Sequence, residues 1–121
     1  MTNQYADCIE ACEDCGAECE RCATACLQET DVKMMADCIR LDRDCADICR
    51  LAAALMSRDS RFAGEICELC ARICDACGNE CARHQAEHCR RCAEACRKCS
   101  EACRSMSAGN GRAGVAHAQH A

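Results

Sequence analysis

The chain has 121 residues, 19 of them cysteine, no proline, and only Tyr5 and Phe62 as aromatic residues. That length suits a single domain, and the scarcity of aromatic and β-branched residues disfavours a β fold. The net charge of −5, from 15 basic and 20 acidic residues, carries no electrostatic footprint for nucleic acid. The N-terminus MTNQYADC lacks a basic and an apolar segment, so no secretory signal is expected. No run is apolar for long enough to span a membrane. A protein of the reducing cytoplasm is the expectation.

The first helix is expected over about 3–27, capped by Thr2 or Asn3. Cysteine recurs in it at Cys8, Cys12, Cys15, Cys19, Cys22 and Cys26, with gaps of four, three, four, three, four. Residues three and four apart share one face of a helix, so this is a core stripe in which thiols stand where leucine is usual. Its outer face carries Asp7, Glu10, Glu13, Asp14, Glu18 and Glu20. A polar link, Gln28 to Asp31, leads to helix two over about 31–57, capped by Thr30 or Asp31. The stripe there reads Met34, Cys38, Leu41, Cys45, Cys49 and Ala52.

The turn Ser57 to Ser60 leads to helix three, about 60–84, with Asp59 or Ser60 as cap and a ladder of Cys67, Cys70, Cys74, Cys77 and Cys81. Helix four, about 86–106, carries Cys89, Cys92, Cys96, Cys99 and Cys103 and is basic outside. It is therefore a favourable neighbour for helix one. Periodicity ends near Ser107, and 107–121 reads as a flexible tail. His117 and His120 fall in that tail and receive no role.

Cys12-Glu-Asp-Cys15-Gly16-Ala-Glu-Cys19 is echoed by Cys74-Asp-Ala-Cys77-Gly78-Asn-Glu-Cys81. Glycine costs roughly 1 kcal/mol inside a helix, so the repeated Gly16 and Gly78 point to close helix approach or to duplication of a helical hairpin. The fold class expected is all-α: an antiparallel up-down-up-down four-helix bundle with cysteines lining the core. Topology then sorts its ends. Tyr5, Leu51, Leu55, Phe62, Ile66 and Met106 form an apolar plug at one end. Cys26, Met34, Met35, Cys38, His84, His88 and Cys89 form a mouth rich in soft ligands at the other, with Met34 and Met35 read chiefly as core filling.

Several chemistries could use many thiols. Disulfides fit poorly: the count is odd, and neighbours on one helix face stand about 5–6 Å apart at Cβ, beyond disulfide reach. A thiol oxidoreductase uses one exposed CxxC at a helix N-terminus, whereas six CxxC pairs lie along these helices. The CxxCxxC run of an iron–sulfur protein is missing. Zinc in four thiolates would bury net negative charge at each site, which is costly. A monovalent Cu(I) replaces one thiol proton, so a core filled near one ion per cysteine stays neutral, and soft thiolates select Cu(I). All 19 cysteines, with His84 and His88 at the mouth, are the expected ligands of many Cu(I) ions. No catalytic residues are expected. A zinc- or cadmium-binding, metallothionein-like detoxification protein is the alternative.

With those residues in view, the chain resembles the cytosolic copper storage proteins over about residues 5–106. The most specific stretch is His84-x-x-x-His88-Cys89-x-x-Cys92-Ala93-x-x-Cys96-x-x-Cys99. The resemblance implies a bundle filled with Cu(I)–thiolate clusters, copper storage and buffering, metal entering at the histidine end, and assembly as a homo-tetramer. Expected partners are copper ions, other copies of the chain, and a copper-delivering chaperone or low-molecular-weight thiol, with neither nucleic acid nor membrane.

Overall fold

The computed structural model describes residues 4–118, with side chains described as far as Ser107. Four helices follow one another: α1 (Ala6–Cys26), α2 (Ala36–Ser57), α3 (Ala63–Ala82) and α4 (Glu87–Ala118), with a short 3-10 helix (Val32–Met35) leading into α2. α1 packs on α2 and α4, and α3 packs on α2 and α4, which closes the expected up-down-up-down square. No strand occurs among the described residues.

The core is sulfur. All 19 cysteines are buried and free, joined by alanines, Tyr5, Met35, Ile48 and Met56. A thiol is small and apolar enough to seal a helix interface. It is also short, which lets the helices come close. Gly16 lies against the Cys49 Cβ and the Ala46 carbonyl of α2, and Gly78 lies against the Cys96 Cβ and the Ala93 carbonyl of α4. The same trio of glycine, alanine and cysteine thus closes both hairpins, so the sequence echo reports two equivalent helix pairs.

The two sites differ in tightness. A Cβ built on Gly16 would meet Cys49 at 3.6 Å, ordinary contact, whereas one on Gly78 would meet Cys96 at 3.2 Å. Gly16→Ala should therefore recover up to about 1 kcal/mol of helix propensity. Gly78→Ala should recover less or lose stability, because the atom it meets is fixed to a helix backbone. Urea unfolding of the two metal-free variants checks the order.

The helix ends depart from expectation. The N-caps of α1, α2 and α3 are Tyr5, Met35 and Phe62, and none makes a side-chain cap bond. Thr2 and Asn3 lie outside the described residues. Asp31 stands at the start of the 3-10 helix without a side-chain cap bond, and of the expected caps Ser60 accepts from the Phe62 amide at 3.1 Å. The end of α2 is closed by the backbone: Ser60 N–H reaches Leu55 O at 2.9 Å and Asp59 N–H reaches Met56 O at 3.1 Å. This Schellman pattern places Asp59 at φ 52°, a position glycine usually takes. Finally, α4 continues helical to Ala118 instead of ending near 106. The side chain of His117 and all of His120 lie outside what is described.

The apolar plug needs correction. Tyr5 and Met56 are buried at the closed end and Leu55, Ile66 and Met106 are partly buried, but Leu51 and Phe62 are 45% and 50% exposed. They sit to the side of the cysteine stripe rather than on it, and the Arg61 guanidinium lies 5.0 Å from the Phe62 ring centre. Likewise Met34, expected mainly as core filling, is 68% exposed. The stripe of α2 begins at Met35, one residue later, which rotates Met34 outward.

Candidate metal centre

Thiols of different helices meet along the whole bundle axis. Cys38–Cys81 and Cys45–Cys74 sulfurs are 3.5 Å apart across α2 and α3, and Cys19–Cys92 and Cys12–Cys99 are 3.6 Å apart across α1 and α4. Neighbours on one helix add to this: Cys15–Cys19 stand at 4.0 Å, and Cys22–Cys26, Cys45–Cys49, Cys70–Cys74 and Cys99–Cys103 at 3.9 Å. Groups of four donors lie within 4.8 Å of one another, among them Cys12, Cys70, Cys99 and Cys103; Cys15, Cys49, Cys74 and Cys99; Cys15, Cys19, Cys45 and Cys96; Cys19, Cys77, Cys92 and Cys96; and Cys22, Cys26, Cys38 and Cys89. These groups share members, so the core is a chain of linked thiol cages and each sulfur faces more than one of them.

At the closed end Cys8 and Cys12 both reach Cys103 at 3.7 Å. Beside them Cys67 donates to the Met56 thioether at 3.5 Å, which adds a soft sulfur that is not a thiol. Burial pushes the Cys26 and Cys89 thiols up, Cys89 to about 12, so at neutral pH these two are protonated before metal arrives.

One buried group was not anticipated. Asp42 is fully buried and accepts from Cys92 at 3.1 Å, Cys77 at 3.2 Å and Cys81 at 3.6 Å on Oδ1, and from Cys38 at 3.8 Å on Oδ2. It gathers thiols of α2, α3 and α4 around one carboxyl. Burial pushes that carboxyl up to about 11, reinforced by the negative charge Cys92 and Cys77 carry when ionised. The signal was in the spacing, because 38, 42, 45, 49 continues the four-three-four rhythm and Leu41 does not.

The mouth is built by two carboxylate–imidazole pairs. His88 turns Nε2 to Glu29 at 2.7 Å and Nδ1 to the Cys22 sulfur at 3.4 Å and the Cys89 sulfur at 3.6 Å. A carboxylate accepts only, so Nε2 donates to Glu29 and Nδ1 is the nitrogen turned to the thiols. That is the arrangement by which an outer carboxylate orients a ligating histidine. His84 makes the matching bond to Glu80 at 2.9 Å. Both histidines are half-buried, and His88 adjoins the cage of Cys22, Cys26, Cys38 and Cys89. The sequence named both histidines but neither glutamate.

The outer surface is held by ion pairs within each hairpin. Glu20 of α1 binds Arg43 and Arg50 of α2 at 3.0 Å each, and Asp75 of α3 binds Ser100 and Arg104 of α4. The expected attraction of acidic α1 for basic α4 takes a looser form. Asp7, Glu10, Asp14 and Glu18 line one wall of an open groove and Arg90, Arg91 and Lys98 the other. Among the described residues no ion pair within 4.0 Å joins those walls.

A thiol-lined bundle with a histidine-bearing mouth matches one family model, described as copper storage protein, over residues 1–108. The chain belongs to the copper storage protein family. Among solved structures, the Cu(I)-bound copper storage protein BsCsp3 is 55% identical at a TM-score of 0.82, with 86% of this chain and 99% of that one covered. The metal-free copper storage protein 3 of Bacillus subtilis is also 55% identical, at a TM-score of 0.81 over 84% of this chain and 97% of that one. A cytosolic copper storage protein of Streptomyces lividans, described with five coppers, is 47% identical at a TM-score of 0.83 over 86% of this chain and 92% of that one. No curated protein sequence matches. Family membership speaks for storage and against the metallothionein-like alternative. No helix among the described residues is long and apolar enough to cross a membrane.

Proposed function

We propose that this chain stores Cu(I) in the cytoplasm as thiolate clusters inside the bundle, near one ion per cysteine, and that it has no catalytic activity. The observation that carries this is the continuity of the thiol cages. All 19 sulfurs are buried and each has a sulfur, carboxylate or thioether neighbour near van der Waals distance, so isolated structural sites do not describe them. Loading with monovalent ions exchanges one proton per ion and leaves the interior neutral, whereas zinc at the same sites would leave excess charge in a medium that penalises it. The chain's Cys8, Cys12, Cys15, Cys19, Cys22, Cys26, Cys38, Cys45, Cys49, Cys67, Cys70, Cys74, Cys77, Cys81, Cys89, Cys92, Cys96, Cys99 and Cys103 are the ligands in this reading. Delivery is by a copper chaperone or a low-molecular-weight thiol, and the assembly is a homo-tetramer.

An anaerobic Cu(I) titration of the reduced protein against a competing chelator tests it. Saturation near one ion per cysteine, with about one proton released per ion, is expected. Saturation at a handful of ions, or tighter binding of zinc, would sink the storage reading.

Copper enters at the mouth, where His88 presents Nδ1 to the outermost thiol cage and Glu29 fixes its orientation. Replacing His84 and His88 together should slow uptake more than it lowers capacity. Glu29→Ala should slow uptake about 10-fold through His88 alone, with Glu29→Gln retaining part of the rate. Stopped-flow loading measures the rates, and an uptake rate unchanged in these variants would remove the mouth from this end.

A further inference from the structure

Apart from alanine, the residues of α2 with no exposed surface are Cys38, Asp42, Cys45, Cys49 and Met56. With Ala52 they keep one rhythm, 38, 42, 45, 49, 52, 56, so Met56 stands on the thiol stripe and not beside it. Leu41, Leu51 and Leu55 of the same helix are off that stripe and reach solvent. The helix thus carries its leucines outside and closes its buried row with a sulfur.

Met56 completes a tier. Cys8 of α1 reaches Cys103 of α4 at 3.7 Å, and Cys67 of α3 interacts with both. The Met56 Sδ lies 3.5 Å from the Cys67 Sγ, as close as the sulfurs of Cys38–Cys81 and Cys45–Cys74. Each helix gives one sulfur to this tier, as in the cage of Cys15, Cys49, Cys74 and Cys99. One corner differs: three sulfurs are thiols, and the α2 corner is a thioether. One step further along the stripes stand Tyr5, Ala63 and Met106, none of them a thiol. The thiol column ends at this tier.

Chemistry gives the thioether corner a use. Methionine commonly fills gaps in cores, but its sulfur is also a soft donor for Cu(I), and it carries no charge. Within the column a thiolate can contact ions on both sides, so charge and coordination balance together. At the last tier no further thiolate follows, and an ion seated there is short of one donor. Another thiolate would supply it together with buried negative charge, which is costly. A neutral sulfur supplies it without that charge. The mouth is finished in the same way, by the imidazole Nδ1 of His88 facing Cys22 and Cys89.

We propose that Met56 is a Cu(I) ligand, its Sδ joining Cys67, with Cys8 and Cys103 alongside, in a terminal site at the closed end of the bundle. This rests on the storage reading above and adds a neutral donor to its thiols.

Selenium-edge X-ray absorption on selenomethionine-labelled, fully Cu(I)-loaded protein tests it. The wild type should show copper bonded to selenium, and Met56→Leu should lose that signal although four methionines remain. Leucine conserves the volume of the side chain, so the metal-free variant should keep the wild-type circular dichroism and urea midpoint. Loss of even an outer partner of a ligand typically costs 10–100-fold in metal affinity. Chelator competition should therefore find one ion per chain held at least about 10-fold more weakly in Met56→Leu, with the others unchanged. A loaded wild type without copper on selenium, or a signal and affinities that survive Met56→Leu, would overturn the assignment and leave the storage reading standing. Uptake of only a handful of ions, with copper still bonded to the Met56 selenium, would sink the storage reading and keep the site.

Discussion

Replacing Asp42 by asparagine should stabilise the metal-free protein by about 2–4 kcal/mol at pH 7, an unusual sign for a fully buried polar residue. Asp42 stands among Cys38, Cys77, Cys81 and Cys92, and burial raises its carboxyl to about 11. The folded chain therefore holds a proton that the unfolded chain has released at every pH between about 4 and about 11. Stability from this group is fully present only below the unfolded value and declines as pH rises across that window. Asparagine is neutral throughout and keeps an acceptor oxygen for Cys77 and Cys92, so it removes the penalty without emptying the space. Urea unfolding at pH 5 and pH 8 reads the prediction twice. The wild type should lose stability between the two, the variant should lose less, and the gap should widen with pH. Equal slopes would mean that Asp42 is ionised in the folded protein.

Most of this architecture was legible because one residue type marks the core. The four-three rhythm of cysteine identified all 19 core thiols, the number of helices and the two hairpins, and Gly16 and Gly78 gave the close contacts. What was missed followed from reading the stripe by hydrophobicity. By hydrophobicity Leu41 reads as the core residue between Cys38 and Cys45, although Asp42 holds the phase. Height in the bundle places Leu51 and Phe62 in a plug, but their rotation about the helix axis puts them outside. Met34 failed for the same reason, by one residue of phase. Glu29 and Glu80 were not legible at all: Glu29 reaches His88 from the α1–α2 link, a contact that depends on how that link folds over the mouth.

Loading the core with Cu(I) should raise the thermal midpoint by tens of degrees, to the point where melting is lost below about 90 °C. The reason lies in which helices each thiol cage joins. Cys15, Cys49, Cys74 and Cys99 come one from each helix, and Cys19, Cys77, Cys92 and Cys96 join α1, α3 and α4. Cys22, Cys26, Cys38 and Cys89 tie the ends of α1, α2 and α4 together at the mouth. An ion seated in any of these must be released before its helices can part. A site with free ligand at about a thousandfold its dissociation constant adds about 4 kcal/mol. A few such sites match the 5–15 kcal/mol that typically holds a domain together. The metal-free bundle should nonetheless be helical, because buried thiols already seal it, so circular dichroism at low temperature should barely change on loading while the melting curve moves far. Stripping the metal with excess chelator should return the original midpoint. A loaded protein that melts with the metal-free one would put the ions outside the bundle, and a metal-free chain without helical signal would make the clusters, rather than the thiols, the source of the core.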